Sequence, residues 1–383
     1  MNRNFKRTAA IIGAVAVSSA ALVACGDSSD SDSTDTSSEA SSAAEGSESE
    51  GAGAELSGQT GQLVGEGATS QQNAMDYFAA RYAEEVPGAT LAYNATGSGS
   101  GQKNFIANQA AFAGSDSPLK DDQVEAAAER CGGNEAWHLP FVIGPVAIAY
   151  NLDGVDELNL TVDNVVDIFQ GNITNWNDPA IAELNPDATL PDLPIVPVHR
   201  SDDSGTTENF TEYLSENAPD AWPHGPIETW PIDGGQSGDG TSGLISAVEG
   251  GNGTIGYADA SQAGNLGTAA IQVGEEFVPF SSAAAAKSVD VSPREEGRAE
   301  NDIVVSLDRT TTEEGVYPIV LISYLALCGS YADSAEGEAV KAYASYIISE
   351  DGQAVGEQNA GSAPISDELR TEAQAAIDGI TVG

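Results

Sequence analysis

Apolar and polar positions follow a repeated order along this chain from Leu63 onward: a short apolar run, a loop of glycine, serine and threonine, and then a stretch with helical spacing. Residues 90–95 have the length and composition of a strand. Met75, Phe78 and Tyr82 fall on one face of a predicted helix, and residues 121–130 form another. Strand, turn and helix in this repeated order predict an α/β fold with mainly parallel sheets.

Four loops of small polar residues precede predicted helices, at 65–70, 97–101, 114–118 and 199–206. We expect the second helix to begin at Gln102 and the fourth to span 207–216. Ligands of parallel sheets bind where strands end and helix N-termini converge, and the free N–H groups of each helix start attract anions. The alternative is that these Ser and Thr residues only cap their helices, which is their commonest use. Their recurrence favours an anion site.

Two long apolar segments, 141–150 and 316–322, suit a role as connections between two lobes. One connection out and one back would make residues 148–317 an inserted lobe 2. Residues 57–147 and 318–383 would together form lobe 1. The chain after residue 56 is long enough for two ordinary domains.

The N-terminal residues determine the expected compartment. Basic residues, an apolar run and Leu22-Val23-Ala24 before Cys25 predict a lipoprotein signal peptide over 1–25, with Cys25 as the lipidated residue. The alternative is an ordinary signal peptide with an incidental cysteine. Residues 26–56 are almost entirely small or acidic, without cations or aromatic residues, so we expect a disordered tether. The rest of the protein would then be held at the membrane by acyl chains.

The formal net charge of −45 argues against nucleic-acid binding and against a general anionic-membrane surface, because both need clustered Lys and Arg. Cations are nevertheless placed unevenly. Between Arg130 and Lys287 the only Lys or Arg is Arg200, which is followed by Asp202 and Asp203. A single cation among acidic residues is not a solvated basic face, and it suggests a specific role.

Cys131 and Cys328 remain once the lipidated cysteine is set aside. Two cysteines in an oxidising compartment most simply form one disulfide, so we predict that they are bonded. In the predicted arrangement both belong to lobe 1, so that the bond would not block a hinge between the lobes. The cysteines and the three scattered histidines lack the spacing of a metal site.

No motif of nucleotide or hydrolase chemistry was found at the glycine-rich loops. The loops at Gly65 and Gly97 do not complete a GxGxxG pattern, and the chain has neither GxxxxGK[ST] nor a GxSxG elbow. Residues 233–240 lack the ligand spacing of a calcium loop, and we predict a surface loop there. We therefore predict a protein that is not an enzyme, with no catalytic residue, no cofactor and no metal.

Four motifs in order resemble those of the phosphate-binding proteins of ABC-type high-affinity phosphate uptake. They are Gly-x-Gly-Ala-Thr at 65–69, Gly-Ser-Gly-Ser-Gly at 97–101, Gly-Ser-Asp-Ser-Pro-Leu at 114–119 and Arg-Ser-Asp-Asp-Ser-Gly-Thr at 200–206. Weaker similarities lie at 168–171, 176–178, 230–232 and 255–257, and the likeness extends from about residue 60 to the C-terminus. The resemblance implies a two-lobed periplasmic-binding-protein fold of type II, joined by two crossover segments, that closes over one phosphate.

The resemblance also implies which residues contact the ion. The phosphate-binding residues would be Thr69, Ser70, Ser98, Asp116, Arg200, Ser204, Gly205 and Thr206, with Asp202 orienting Arg200 and Asp116 at the third helix start. The family commonly has an aromatic residue where Ser70 stands. A contact through the backbone N–H would tolerate this change, whereas a shielding role would not.

Asp116 carries the physical argument for phosphate. A carboxylate is an acceptor only, so it is repelled by an anion unless that anion donates a proton. Hydrogen phosphate has such a proton, and sulfate at neutral pH does not. The alternative role for Asp116 is an N-cap of the helix at 121.

The expected function is capture of inorganic phosphate and its delivery to the permease subunits of an ABC importer with a cytoplasmic ATPase. We expect a monomer, lipid-anchored on the extracytoplasmic face of the cell membrane, which binds no nucleic acid. Two alternatives stay open: a receptor for another oxyanion such as sulfate or molybdate, and a secreted phosphatase.

Overall fold

The computed structural model describes residues 62–383. The predicted signal peptide, Cys25, the predicted tether over 26–56 and residues 57–61 of the predicted lobe 1 lie outside this range. Within it, strands and helices alternate for most of the chain, and the predicted α/β class is confirmed. No helix of the described part is long and apolar enough to cross a membrane.

The strands of the described chain are Gln62–Gly67 (β1), Thr90–Ala95 (β2), Phe112–Ser115 (β3), Ala136–Asn151 (β4), Asn159–Leu160 (β5), Val196–Arg200 (β6), Gln236–Gly238 (β7), Thr254–Asp259 (β8), Gly267–Thr268 (β9), Ala270–Val273 (β10), Glu276–Val278 (β11), Val320–Cys328 (β12), Ser330–Tyr331 (β13) and Thr381–Val382 (β14). Its α-helices are Gln72–Glu85 (α1), Ser98–Ile106 (α2), Asp121–Arg130 (α3), Val162–Phe169 (α4), Pro179–Ala182 (α5), Gly205–Asn217 (α6), Gly240–Glu249 (α7), Ser282–Asp290 (α8), Ser334–Ile348 (α9), Glu350–Ala360 (α10) and Asp367–Asp378 (α11).

The largest sheet of the described chain has the strand order β2-β1-β3-β12-β4-β8-β6-β7, and β9 also pairs with β4. The long strand β4 serves both halves, because residues 136–145 pair with β12 and residues 146–151 pair with β8, both antiparallel. We call β2, β1, β3, β12 and the first part of β4 the first sheet segment, and the remainder the second sheet segment. The outer strands of each segment are parallel to one another.

The change of partner along β4 occurs between Pro145 and Val146. Proline has no N–H for a ladder, so it suits a position where regular pairing is interrupted. This change lies close to the predicted boundary between residues 147 and 148. The lobe boundaries themselves stay a prediction.

Several predicted elements agree with the structure. Residues 90–95 form β2, residues 121–130 form α3, and α1 buries Met75, Phe78 and Tyr82 on one face. The rings of Tyr82 and Tyr343 pack edge to face, with centroids 5.4 Å apart. This packing anchors α1 to α9 and so supports the loop that precedes α1.

Two helices begin earlier than predicted. α2 begins at Ser98 rather than Gln102, and α6 begins at Gly205 rather than Thr207. Glycine lowers intrinsic helix propensity, and the glycines of 97–101 therefore indicated a loop. Tertiary packing overrides that preference, because a Cβ on Gly101 would lie 2.4 Å from the Cα of Gly67. Only glycine lets α2 pack this closely against the end of β1.

The surface loop predicted over 233–240 is only partly correct. Gln236–Gly238 form β7 and pair in parallel with β6, and Gly240 is the buried first residue of α7. Of the apolar segment at 316–322, only residues 320–322 lie in a strand, because β12 begins at Val320 and continues to Cys328.

The sulfur atoms of Cys131 and Cys328 are bonded, with their Cα atoms 5.3 Å apart. Both cysteines are buried, and Cys328 ends β12 while Cys131 follows α3. The neighbouring Arg130 lies over the ring of Phe105 and donates to the carbonyl of Ala110. The bond thus joins the end of a central strand to the helix that follows the 114–118 loop.

Candidate functional site

Polar side chains from both sheet segments meet beneath the surface where several strands end. The β1–α1 loop, the first turn of α2 and the residues after β3 come from the first segment, and the β6–α6 loop comes from the second. Buried members of this group include all the hydroxyl, carboxylate and guanidinium residues predicted to contact the ion: Thr69, Ser70, Ser98, Asp116, Arg200, Ser204 and Thr206. The predicted residues are therefore brought together, although they span 138 positions from Thr69 to Thr206 counted inclusively.

The carboxylate of Asp116 accepts hydrogen bonds from three hydroxyl groups. Ser70 Oγ donates to Oδ2 at 2.6 Å, Thr206 Oγ1 donates to the same oxygen at 3.1 Å, and Ser323 Oγ donates to Oδ1 at 2.7 Å. Burial raises the pKa of Asp116, and these hydrogen bonds partly oppose the rise. A buried carboxyl with a raised pKa and hydroxyl partners is suited to exchange a proton or a hydrogen bond with a ligand.

Asp116 does not cap a helix. It follows β3 directly, and α3 begins only at Asp121, so Asp116 is not at a helix start as predicted. The main chain of Asp116 is held on both sides instead: its N–H donates to Ser98 Oγ at 3.2 Å, and its carbonyl accepts from Asn209 Nδ2 at 2.7 Å. The residue is thereby fixed between α2 and α6.

The start of α6 lies directly against Asp116. Ser204 caps this helix by accepting from Thr207 N at 3.1 Å. A Cβ on Gly205 would lie 2.6 Å from Ser98 Oγ and 2.8 Å from the Cβ of Asp116. Glycine is therefore required here for the close approach of the two segments. The N–H groups of Gly205 and Thr206 belong to the first helical turn, where a helix has no internal acceptor to offer.

Arg200 ends β6 and is buried, whereas its partner Asp202 is partly buried. Its Nε donates to Asp202 Oδ1 at 2.7 Å, and its Nη2 donates to Asp202 Oδ2, so the pair is bidentate. Burial by itself would raise the pKa of Asp202, but the hydrogen bonds and charge of Arg200 and the N–H of Gly240 outweigh it and lower that pKa. The pair holds the guanidinium plane in one orientation, which leaves Nη1 on its other side.

One side chain of this site was missed by the sequence-based prediction. Thr241, in the first turn of α7, lies 2.9 Å from Thr69 Oγ1 through its own Oγ1, and its N–H donates to Thr69 Oγ1 at 3.0 Å. Arg200 Nη1 also donates to Thr241 Oγ1, at 3.5 Å. The signal was present in Asp239-Gly240-Thr241, a further run of small polar residues before a helix.

Three more residues of the site could not have been found from local patterns. Ser323 is the one serine of a mostly apolar strand, and Asn209 is an interior position of α6. Asp259 ends β8, accepts from Ser261 N at 3.0 Å and is almost fully buried. Burial raises the pKa of Asp259 to about 7, the Ser261 hydrogen bonds oppose this, and the charge of Asp116 adds to it.

The site therefore offers many hydrogen-bond donors but little net positive charge. Arg200 is neutralised by Asp202, whereas Asp116 contributes a carboxylate without a cation beside it. Hydroxyl and N–H donors from two sheet segments surround this carboxylate. Such a site can bind a small oxyanion that accepts several hydrogen bonds and returns one proton to a carboxylate.

Comparison with known proteins gives a consistent result. A family model described as the PBP superfamily domain matches residues 42–351. The chain is 35% identical over 385 aligned positions to the phosphate-binding protein PstS2 of Mycobacterium bovis, covering 98% of this chain and 100% of that protein. It is 38% identical over 325 positions to the phosphate-binding protein PstS 3 of Mycobacterium leprae, covering 83% and 86%.

Solved structures show the same fold. A high-affinity periplasmic phosphate-binding protein, solved with bound phosphate, superimposes with a TM-score of 0.68 at 22% identity, covering 82% of this chain and 93% of that one. The phosphate-binding protein of Stenotrophomonas maltophilia superimposes with a TM-score of 0.61 at 20% identity, covering 82% and 94%. The predicted two-lobed binding-protein fold of type II is confirmed by this likeness.

Proposed function

Because this chain belongs to the PBP superfamily and, within it, to the PstS family of phosphate-binding proteins, we propose that it binds inorganic phosphate and delivers it to an ABC-type importer. The observation that carries this proposal is the buried carboxylate of Asp116, which is surrounded by hydroxyl donors from both sheet segments. The relatives that this chain matches over most of their length are named phosphate-binding proteins.

Phosphate fits this carboxylate better than other oxyanions do. Hydrogen phosphate accepts hydrogen bonds through its ionised oxygens and donates its remaining proton to Asp116. Sulfate has no proton to donate and would place a like charge against a buried acceptor. Such a mismatch costs several kcal/mol, which corresponds to discrimination on the order of a thousandfold.

Arg200 supplies the complementary contact. Its guanidinium is held by Asp202, and Nη1 faces the Thr241 side, toward the β1–α1 loop. Charge-assisted hydrogen bonds in a desolvated site are strong, so affinity does not depend on the sign of the whole protein. The role is that of a receptor without catalysis or a cofactor, and the importer would recognise the loaded form.

The proposal also includes where the protein is held and whether it is a monomer. We expect lipidation of Cys25, a monomeric protein on the outer face of the cell membrane, and a tether over 26–56. Replacing Cys25 with Ser should move the protein from the membrane fraction to the soluble fraction. Retention of the Cys25→Ser protein in the membrane fraction would contradict lipid anchoring.

Calorimetric titration of the purified protein with phosphate and with sulfate tests the function. We expect tight binding of phosphate and no measurable binding of sulfate. Asp116→Asn replaces an acceptor with an amide, and it should weaken phosphate binding and reduce the preference over sulfate. Asp187→Asn makes the same chemical change at an exposed turn and should alter neither. Unchanged selectivity in Asp116→Asn would refute the assigned role.

Arg200→Lys tests the guanidinium separately from its charge. Lysine keeps the charge but cannot make the bidentate contact with Asp202 while donating elsewhere. We expect phosphate affinity to fall by about tenfold to a hundredfold. Arg81→Lys, on an exposed helix surface, is the matched control. If Arg200→Lys bound phosphate as tightly as the unmodified protein, the guanidinium held by Asp202 would not be needed for phosphate binding.

A further inference from the structure

Thr241 links two predicted contact residues that come from different sheet segments. Thr69 follows β1 in the first segment, whereas Arg200 ends β6 in the second. Thr241 Oγ1 lies between them, 2.9 Å from Thr69 Oγ1 and 3.5 Å from Arg200 Nη1. Thr241 is 1% exposed, and Gln262 Nε2 donates to the carbonyl of Thr69 at 2.9 Å, which further fixes the loop.

The directions of these hydrogen bonds follow from the donors present. Arg200 Nη1 has only protons to offer, so Thr241 Oγ1 accepts there. Thr69 Oγ1 accepts the N–H of Thr241 at 3.0 Å. If the Thr241 hydroxyl donates to Thr69 as well, Thr69 Oγ1 uses both of its lone pairs as an acceptor. The hydroxyl proton of Thr69 is then left to donate into the site.

We propose that Thr241 is a positioning residue for anion binding, which completes a hydroxyl chain from Arg200 through Thr241 to Thr69 and so makes Thr69 a proton donor toward the anion. If the hydrogen bond between the two hydroxyls ran the other way, Thr69 would donate to Thr241. Thr69 would then present a lone pair to the anion, and the two would repel each other. The donor at Arg200 and the anion at Thr69 favour the same direction, and successive hydrogen bonds polarise one another in a buried site. This inference rests on the proposed function.

Thr241→Val and Thr241→Ser test the chain. Valine has the shape of threonine without the hydroxyl, and we expect phosphate affinity to fall about tenfold. Serine keeps the hydroxyl, and its affinity should stay within about threefold of the unmodified protein. Thr254→Val is the control, because Thr254 is equally buried in the second segment but donates to the carbonyls of Val248 and Gly251, away from the site. It should lower stability without changing affinity.

A double-mutant cycle shows whether Thr241 acts through Thr69. Once Thr69→Val has removed the proton donor, adding Thr241→Val should weaken binding by less than about threefold. The inference is overturned if Thr241→Val has no effect on affinity, if serine fails to restore it, or if the two valine substitutions are additive. Absence of phosphate binding by the unmodified protein would instead refute the proposed function, so the two failures are distinguishable.

Discussion

Asp259 should make the stability of this protein fall as the pH rises from about 4 to about 7. The residue ends β8, pairs with Val146 at the point where β4 changes partner, and is 6% exposed. Its carboxylate accepts from the N–H and the hydroxyl of Ser261 but has no cation beside it. Burial raises its pKa from 3.8 to about 7. The folded protein therefore holds a proton that the unfolded chain releases near pH 4.

The sign and size of the effect follow from linkage. A carboxyl with a raised folded pKa contributes fully to stability below its unfolded pKa, and this contribution is lost as the pH rises to the folded pKa. The shift of about three pH units corresponds to about 4 kcal/mol at about 1.4 kcal/mol per unit. The loss should be complete above about pH 7.

The assay is urea unfolding of the unmodified protein and of Asp259→Asn between pH 4 and pH 8, in buffer without phosphate. Asparagine retains an oxygen for the Ser261 N–H but does not ionise. We expect Asp259→Asn to gain about 4 kcal/mol relative to the unmodified protein between pH 4 and pH 8. Asp187→Asn, in an exposed turn, should follow the unmodified protein throughout.

A further variant tests the electrostatic part of this argument. The charge of Asp116 contributes to the raised pKa of Asp259, so Asp116→Asn should move the fall in stability to lower pH. Parallel loss of stability in the unmodified protein and in Asp259→Asn would refute the reasoning, because it would mean that burial does not destabilise this carboxylate.

Three further predictions concern stability. Arg309→Met removes buried hydrogen bonds to Val320 O and to the side chain of Asn209, and thermal unfolding should show that the free energy of unfolding falls by about 2–3 kcal/mol. The control Arg294→Met, at an exposed position, should lower it only slightly, and equal losses in the two variants would contradict this prediction. Replacing both Cys131 and Cys328 with Ala should cost about 2–5 kcal/mol in urea unfolding, since the bond closes a separation of 197 residues, and a reducing agent should then have no further effect. Gly67→Ala should prevent normal folding, measured as soluble yield and circular dichroism, because its Cβ would lie 1.8 Å from the carbonyl oxygen of Gly114 at a φ of +152°; a native spectrum would contradict this.

Local patterns predicted the elements whose stability is decided within a few neighbouring residues. Apolar spacing identified the buried face of α1, strand composition identified β2, and the predicted helix over 121–130 has the same bounds as α3. Local propensity misplaced the start of α2, because glycine disfavours a helix on its own. In the folded protein, the close packing of α2 against the end of β1 outweighs that preference. Boundaries of this kind depend on packing that no local window contains.

The residues of the candidate site can likewise be separated into those that the sequence indicated and those that only the structure revealed. The sequence by itself singled out Arg200 as a solitary cation, and the resemblance of its motifs to a known family pointed to Asp116. Only the tertiary structure brought Thr241 to Thr69, 172 positions apart, and Ser323 to Asp116, 207 positions apart. It also decided that Asp116 is held between α2 and α6 and caps no helix. The physical reason is that the residue type alone determines which functional groups a side chain has. Its partners and its pKa depend on which distant segments of the chain bury it.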